Sequence, residues 1–287
     1  MNDGYRYRMQ IDASGAAMPL DRFLAARFAH SSIERWRERI DRGLVSVDGR
    51  VARPDATLRA GQDIVWARPP WQEPDVPTTF DVRYDDGDVL VVDKPAGLPT
   101  LPGGGFLQNT LVHRVRNRFP DTATMHRLGR WTSGLVLFAR SRAARRSIAR
   151  QFHACSIDKR YRALASGRPA ADTFEVAEPI GPVPHALLGT VHGATPDGKP
   201  SRSRVTVVER RDRDFLCDVD IETGRPHQIR IHLAAAGYPL TGDPLYAIGG
   251  KPTPGCTALP GDPGYSLHAA EIAFDDPHTG KRIGVRS

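Results

Sequence analysis

The chain has 287 residues, of which 40% are hydrophobic and 25% are charged, and its formal net charge is +7. This composition is ordinary for a globular protein of one large domain or two. The lack of a run of about 18 apolar residues and of an apolar N-terminal stretch excludes a transmembrane helix and a secretory signal, which predicts a cytoplasmic protein. The cysteines Cys155, Cys217 and Cys256 are odd in number and far apart, so neither a disulfide framework nor a zinc site is indicated.

Positive charge is concentrated in one part of the chain. The window from Met125 to Arg168 holds eleven Lys and Arg residues against one acid, Asp158, so the rest of the chain is net acidic. The planar guanidinium of arginine suits phosphate recognition, and such a field attracts polyanions. The sequence therefore predicts a polyanion as the binding partner.

The N-terminal region, residues 18–67, is predicted to form two helices, a hairpin and a further strand. Pro19 suits the first turn of a helix, and Ser31 with Glu34 forms a capping-box pattern that begins the second helix. Asp48-Gly49 is a turn signal for a tight hairpin. One face of the first helix is predicted to hold Leu20, Phe23, Leu24 and Phe28, and the inward face of the second to hold Ile33, Trp36 and Ile40. The further strand is predicted at Ile64, Val65 and Trp66.

The remainder of the chain is predicted to begin with a linker and continue as a second domain. Residues 68–79 contain four prolines and no hydrophobic period, which indicates a stiff, extended linker between domains at 1–67 and 80–287. Thr110 and Ser141 are predicted to cap two helices, and residues 170–200 to form loops between short strands. Strands are predicted at Phe80–Tyr84, Val89–Asp93, Leu135–Phe138, Val205–Val208, Leu216–Ile221, Leu267–Phe274 and Arg282–Val285.

Four segments of this second domain carry residues that suit a functional site. The segment from Met125 to Ala139 places two arginines, a hydroxyl pair and two glycines ahead of an apolar run, which is typical of a functional loop that leads into a buried strand. His227 and His232 are five residues apart, so they do not share a helix face for zinc, and no metal is expected. The four segments are Lys94-Pro95-Ala96-Gly97, Met125 to Ala139, Lys159-Arg160-Tyr161, and Thr223 to His232 with the following Gly242-Asp243-Pro244-Leu245-Tyr246.

In this order the four segments resemble the motifs of the RluA-type pseudouridine synthases, over about Phe80 to Arg286. Residues 18–67 resemble the small RNA-binding domain named after the fourth protein of the small ribosomal subunit. The resemblance implies an α+β fold, in which a mixed, mainly antiparallel sheet with flanking helices follows a helix-helix-hairpin domain. It also implies the isomerisation of uridine to pseudouridine in structured rRNA or tRNA by a monomer that needs no metal or other cofactor.

The resemblance also implies roles for individual residues. Arg225 matches the family arginine that pairs with the catalytic aspartate, and Tyr161 matches the tyrosine that stacks on the target base. Without the resemblance, Tyr161 is better explained as a half-buried strand residue, and the N-terminal arginines as a solvated helix face. The RNA contacts implied are Lys94, Arg127, Arg130, Thr132 and Ser133 in the large domain, and Arg22, Ser32, Arg35, Arg39 and the turn at Asp48-Gly49 in the small one.

One residue departs from the family pattern, because Gly129 stands where the family carries its catalytic aspartate. Glycine cannot attack, accept a proton or neutralise Arg225. Three hypotheses follow: an isomerase with a replacement carboxylate, an inactive RNA-binding protein whose cleft holds phosphate more strongly without that counter-ion, and a protein whose N-terminal module is the whole function. The candidate replacements are Asp121, Asp158, Glu222 and Asp243, of which Asp243 has the best motif context.

Overall fold

The computed structural model describes residues 1–28 and 31–287, which form two compact units, Met1–Glu73 and Pro74–Ser287. The proline-rich segment predicted as a linker is divided between them. In the first unit the backbone N–H of Trp71 donates to Asn2 Oδ1 at 3.1 Å. In the second unit Asn109 Nδ2 donates to the carbonyl of Pro74 at 2.9 Å. Each part of the segment is therefore hydrogen-bonded to the unit to which it belongs.

The first unit packs two helices on a four-stranded antiparallel sheet. Its hairpin turn has both central residues in the left-handed region, Asp48 at φ 50° and Gly49 at φ 77°, as the Asp-Gly signal predicts. The elements are β1 (Tyr5–Gln10), α1 (Leu20–Arg27), α2 (Ile33–Asp41), β2 (Val45–Val47), β3 (Arg50–Val51) and β4 (Asp63–Arg68). The strands follow the order β1-β4-β2-β3, and the core includes Leu24, Trp36, Ile40, Ile64 and Trp66.

Two features of this unit differ from the sequence prediction. The cap of α2 is Ser32, whose Oγ accepts from the backbone N–H of Arg35 at 3.4 Å, and not Ser31. Ser31 is buried, and its hydroxyl accepts from Arg39 Nη1 at 3.0 Å, so it is engaged in packing. The edge strand β1 was not predicted, because its alternating Tyr and Arg side chains are mostly exposed and give no apolar stripe.

The elements of the second unit are β5 (Asp81–Asp85), β6 (Val89–Lys94), α3 (Leu111–Arg118), β7 (Ala123–Thr124), β8 (Ser133–Ala139), α4 (Arg142–His153), β9 (Asp158–Ser166), β10 (Thr173–Val176), β11 (Ile180–His185), β12 (Gly189–Ala194), β13 (Ser203–Arg210), β14 (Asp214–Ile221), α5 (Gln228–Ala235), β15 (Leu267–Asp275) and β16 (Arg282–Arg286). The unit is built on one long sheet with the strand order β10-β13-β14-β9-β15-β8-β6-β5, to which β7 and β16 add at β8 and β15. Only the pair β15–β8 is parallel among the strand pairs of the described residues, which confirms the mixed, mainly antiparallel fold. Strands β11 and β12 form a separate hairpin.

Both faces of the central strand β8 are covered, which explains its unbroken apolar sequence. Successive side chains of a strand point to opposite faces, so Val136 and Phe138 join one core while Leu135 and Leu137 join another. At its start, Gly134 has φ 106°, and a Cβ added there would lie 2.3 Å from the carbonyl oxygen of Ala269 on β15. Glycine is required at this position because the two strands approach closely.

The helices of this unit are only partly predictable from local signals. The predicted caps are confirmed: Thr110 Oγ1 accepts from the N–H of His113 at 3.4 Å, and Ser141 Oγ from that of Ala144 at 3.1 Å. Helix α5 was not predicted, because its residues from Gln228 to Ala234 are all buried and it has no polar face. In the described parts of the chain, 1–28 and 31–287, no helix has the length and apolar character needed to cross a membrane.

Candidate functional site

Three of the four sequence motifs, those that contain Gly129, Tyr161 and Arg225, meet at one pocket of about 700 Å³ in the second unit. This volume lies in the range of small-molecule and cofactor sites, roughly 300–1,000 Å³. The loop before β8, the end of α4, strand β9, the end of β14 and the start of α5 all contribute. The lining residues are Met125 to Gly129, Thr132, Ala149, Phe152, His153, Cys155, Lys159, Tyr161, Ile221 to Arg225, His227 to Arg230, Tyr265 and Leu267.

Gly129 lies at the wall of this pocket and is exposed. Its φ lies outside the left-handed region, so its backbone accommodates any L residue. A Cβ added there would lie 3.3 Å from Tyr265 Oη and 3.4 Å from Thr132 Oγ1. A side chain at this position would therefore meet two hydroxyl groups after a small adjustment.

Among the described residues that line the pocket, Glu222 carries the one carboxylate. Its side chain is 67% exposed, and its nearest cation is Arg202, with Nε at 3.8 Å from Oε1. Asp121 and Asp158 lie outside the lining, and Asp158 is paired with Arg282. Of the four carboxylates considered from the sequence, Glu222 alone reaches the pocket directly.

Asp243, which had the best motif context, instead forms a buried ion pair with Arg230. The guanidinium donates from Nε to Oδ2 at 2.7 Å and from Nη2 to Oδ1 at 2.8 Å, and the two side chains are 3% and 0% exposed. Arg230 also donates to the carbonyl of Pro260 at 3.0 Å and lies 4.2 Å from the ring centre of Tyr265. The pair therefore fixes the wall of the pocket, with Asp243 committed to Arg230.

Sequence reasoning missed Arg230, although it lies in the quoted motif three residues after His227. A signal was available, because Arg230 stands between Ile229 and Ile231 and a charged residue in so apolar a segment needs a buried partner.

Arg225, predicted as the partner of the missing aspartate, lines the pocket but has a different partner. Its Nε and Nη2 donate to the carbonyl of Pro200 at 3.2 and 3.1 Å. Arg127 also lines the pocket and is exposed, and no hydrogen bond or ion pair joins it to another described residue. Of these two predicted arginines, Arg127 has its donors free for a ligand.

Tyr161 and Lys159 enter the pocket from β9, where their spacing of two residues places both side chains on one face of the strand. Tyr161 is 8% exposed and packs in the larger core of the unit. Burial raises the pKa of its hydroxyl to about 12, so the phenol is protonated near neutral pH. Tyr161 therefore lines the pocket and is also part of the hydrophobic core.

His227 has a fixed tautomer in the pocket wall. Its Nδ1 lies 2.7 Å from Tyr246 Oη, which donates its single proton to the carbonyl of His192 at 2.8 Å. Nδ1 must therefore carry a proton and donate to Tyr246, which leaves Nε2 as an acceptor. Burial, together with the positive charge of Arg230, lowers the pKa of His227 to about 3, so the ring is neutral near pH 7.

Lys94 was predicted to contact RNA, but in the structure its side chain is fully buried. Its Nζ donates to the carbonyls of Pro95, Leu98 and Arg130 at 2.9, 2.8 and 3.1 Å. Burial lowers its pKa to about 7, while three carbonyl acceptors match the three donors of its ammonium form. Lys94 thus joins the turn after β6 to the loop that carries Gly129.

The substitution Lys94→Met is expected to lower the free energy of unfolding by about 2–4 kcal/mol, because it leaves buried carbonyls without a donor. Urea denaturation at pH 7 measures this change. The matched control is Lys281→Met, which replaces an exposed lysine of the same unit and should alter stability by less than about 0.5 kcal/mol. Equal stability of the two variants would contradict a structural role for Lys94.

The other residues predicted from the central loop are partly engaged within the protein. Arg130 donates from Nε to the carbonyl of Gly97 at 3.0 Å and lies 4.7 Å from the ring centre of Phe106. Thr132 is 5% exposed and lines the pocket, whereas Ser133 Oγ is hydrogen-bonded to a ring nitrogen of His268 at 2.9 Å. Of these three, Thr132 is the one that borders the cavity.

In the first unit the predicted arginines differ in exposure. Arg22, Arg35 and the cap residue Ser32 are exposed. Arg39 is partly buried, with its guanidinium 4.5 and 5.0 Å from the ring centres of Trp36 and Trp66. It therefore also supports the core of the unit. At the predicted turn, hydrogen bonds from the backbone of Asp63 and the side chain of Gln62 lower the pKa of Asp48 and order it.

No cluster of three or more His, Cys, Asp or Glu side chains suited to a metal ion occurs among residues 1–28 and 31–287. The described lining of the pocket offers guanidinium, ammonium and hydroxyl donors, imidazole groups, aromatic rings and one exposed carboxylate. These groups suit a polar, planar ligand that carries negative charge.

Comparison with known proteins shows which family this chain resembles. The profile described as RNA pseudouridylate synthase matches residues 88–235, and that of the S4 domain matches residues 18–64. An uncharacterized RNA pseudouridine synthase of Synechocystis is 41% identical, over 91% of this chain and 90% of its own length. RNA pseudouridine synthase 5 of Arabidopsis thaliana is 36% identical, over 95% of this chain and 89% of its own length.

More distant relatives agree. Ribosomal large subunit pseudouridine synthase D of Pseudomonas aeruginosa is 31% identical, over 99% of this chain and 92% of its own length. The structure of human RNA pseudouridylate synthase domain containing 1 matches with a TM-score of 0.57 and 26% identity, over 75% of this chain and 86% of that one. The chain, with its N-terminal S4 domain, therefore belongs to the RluA-type RNA pseudouridine synthases, a family of isomerases.

Proposed function

We propose that this protein binds structured rRNA or tRNA and takes one uridine, turned out of its stack, into the pocket beside Gly129. The observation that carries the proposal is the meeting of three family motifs at one cavity of about 700 Å³, in a chain that is 41% identical to an uncharacterized RNA pseudouridine synthase. An enzyme that acts on a base must extrude it from a duplex or use a single strand, and a pocket of this size accepts such a nucleotide.

The proposed roles follow from the geometry of the lining. Tyr161 stacks its buried ring against the base, and Arg127 contributes an exposed guanidinium that has no hydrogen-bond or ion-pair partner among residues 1–28 and 31–287. Arg225 lies at the rim, where a phosphate would compete with the carbonyl of Pro200. In the S4 domain, Arg22 and Arg35 are exposed for contact with the RNA backbone, and Arg39 lies beside them.

The family reaction needs a carboxylate that the proposed nucleophile position lacks. Isomerisation breaks the bond between the sugar and N1 of the base, turns the base over and joins it to the sugar through C5. C5 loses its hydrogen to water as a proton and N1 takes up a proton, so the composition of the nucleoside is unchanged. No metal or redox cofactor is required, but a nucleophile or general base is. Since we place Gly129 at the position of the family aspartate, Glu222 is the remaining carboxylate of the described lining that could act.

A second candidate is RNA binding without isomerisation, and the positions of Glu222 and Asp243 favour it. Glu222 is largely exposed and Asp243 is held by Arg230, so neither is presented to the base as a buried nucleophile. The two candidates share the binding step and differ in turnover. Tritium release from transcribed RNA that contains [5-³H]uridine separates them. Loss of wild-type release in Glu222→Gln would establish an enzyme with a replacement carboxylate.

The binding step is tested with Arg127→Met. Loss of one phosphate contact is expected to weaken binding of transcribed rRNA fragments or tRNA about tenfold and to reduce the salt slope by about one. The matched control is Arg118→Met, which removes an exposed arginine of α3 that does not line the pocket. If both variants lose the same affinity, general charge accounts for binding and the assignment of Arg127 fails.

Action as a cytoplasmic monomer remains a prediction.

A further inference from the structure

One side of the pocket contains two donors that the proposed reaction does not use. His126, Phe152 and Lys159 all line the cavity there. The rings of His126 and Phe152 have centres 5.4 Å apart, and Lys159 Nζ lies 6.0 Å from the centre of the Phe152 ring. The aromatic ring thus forms an apolar wall beside a cation and an imidazole.

Lys159 has no acceptor for its ammonium group among residues 1–28 and 31–287, with neither a hydrogen bond nor an ion pair. The adjacent carboxylate, Asp158, is paired with Arg282. Burial lowers the pKa of Lys159, because a half-buried cation is poorly solvated. An anion placed in the cavity would remove that penalty.

His126 supplies a second donor beside it. The Nε2 atom accepts from the backbone N–H of Leu137 at 3.0 Å, so the neutral ring must carry its proton on Nδ1. Burial, together with the nearby charge of Lys159, lowers the pKa of His126 to about 4, which keeps the ring neutral at pH 7. Within the described chain, no acceptor is hydrogen-bonded to this Nδ1–H.

We propose that His126 and Lys159 form a phosphate subsite, which binds a backbone phosphate of the RNA next to the nucleotide that enters beside Tyr161. This inference rests on the proposed function. Lys159 and Tyr161 are two residues apart on one strand face, a separation of about 7 Å. One nucleotide with its flanking phosphate can therefore contact both residues. Charge-assisted hydrogen bonds from an ammonium to a phosphate are strong and directional enough to set the register of the strand.

The test compares ligands with and without phosphate on matched variants. Calorimetry measures uridine, uridine 3′,5′-bisphosphate and inorganic phosphate on the wild type, Lys159→Met, Lys159→Arg and the exposed-lysine control Lys281→Met. In the wild type and the control we expect the bisphosphate to bind at least tenfold more tightly than uridine. Lys159→Met should reduce this ratio about tenfold, and Lys159→Arg should keep most of it.

A second measurement follows the pKa of Lys159 in the wild-type protein, so it does not require any substituted protein to fold. After reductive ¹³C-methylation, the NMR signal of Lys159 should titrate at a higher pH once the bisphosphate is bound, while that of Lys281 should not change. A bound anion stabilises the protonated amine, so the pKa must rise if the phosphate lies beside it.

The outcomes separate this inference from the proposed function. If uridine binds but neither the ratio nor the Lys159 titration changes, the subsite is disproved while the proposed function stands. If inorganic phosphate alone binds as tightly as the bisphosphate through Lys159, the site holds free anions and the assignment to RNA is overturned. Failure of the wild type to bind either uridine or the bisphosphate would remove the proposed function and this inference with it.

Discussion

Replacing Gly129 with aspartate is expected to raise the rate of uridine isomerisation by a factor of about 10² to 10⁴. Removing the nucleophile of the serine protease subtilisin lowers turnover by a factor of about 10⁶. A carboxylate introduced at position 129, where the surrounding residues are not adapted to it, should recover part of such a loss. The measurement is tritium release from [5-³H]uridine in transcribed RNA under single-turnover conditions.

The structure has room for this side chain and groups to position it. The backbone at Gly129 suits any L residue, and the Cβ contacts of 3.3 and 3.4 Å are with the hydroxyl oxygens of Tyr265 and Thr132. Both hydroxyls can donate to a carboxylate. The ring of Tyr265 also lies 4.2 Å from the guanidinium carbon of Arg230, which brings a positive charge close to the new group. An ionised aspartate is therefore stabilised there.

The control is Gly129→Asn, which has nearly the same size and the same Cβ contacts but no carboxylate. It should show no gain, so that an increase seen only with aspartate reports chemistry and not packing. A wild type that already turns over as fast as the aspartate variant would contradict the prediction. Glu222→Gln would then show whether the exposed carboxylate of the pocket performs the reaction.

Local signals predicted those elements whose residues interact with near neighbours in sequence. The turn at Asp48-Gly49 follows from the left-handed backbone that Asp and Gly accept, and the caps Thr110 and Ser141 from hydrogen bonds to the N–H three residues ahead. The structure has the turn and both caps as predicted. Helix α5 was missed because a helix that is buried on all sides has no amphipathic period. Strand β1 was missed because its partner β4 is more than fifty residues away and its own side chains are mostly exposed.

The site was predictable as a meeting of segments but not as a set of contacts. Motif order placed Gly129, Tyr161 and Arg225 at one cavity, where the structure has them. The direction of each polar side chain depends on partners that no motif specifies. Lys94 turns inward to three carbonyls, and Arg225 donates to the carbonyl of Pro200. The arginine buried in the pocket wall is Arg230, and its partner, Asp243, lies in a loop further along the chain.

The substitutions Arg230→Met and Asp243→Asn are each expected to lower the free energy of unfolding by about 3–5 kcal/mol, since either one leaves a buried charge without its partner. With side chains 3% and 0% exposed, water cannot replace the lost partner. The double variant should lose less than the sum of the two by about 1–3 kcal/mol, because it buries no lone charge.

Urea denaturation of the wild type, the two single variants and the double variant forms a double-mutant cycle, which measures the coupling energy between Arg230 and Asp243. The matched control is the same cycle on the exposed pair Arg210 and Asp172. Charges of an exposed pair remain solvated when one partner is removed, so its cycle should give a coupling below about 1 kcal/mol. Equal coupling in the two cycles would mean that the buried pair adds nothing beyond a surface contact. A large coupling confined to Arg230 and Asp243 would instead explain why Asp243 cannot serve as the replacement carboxylate, since releasing it to a substrate would cost a major share of the stability of the fold.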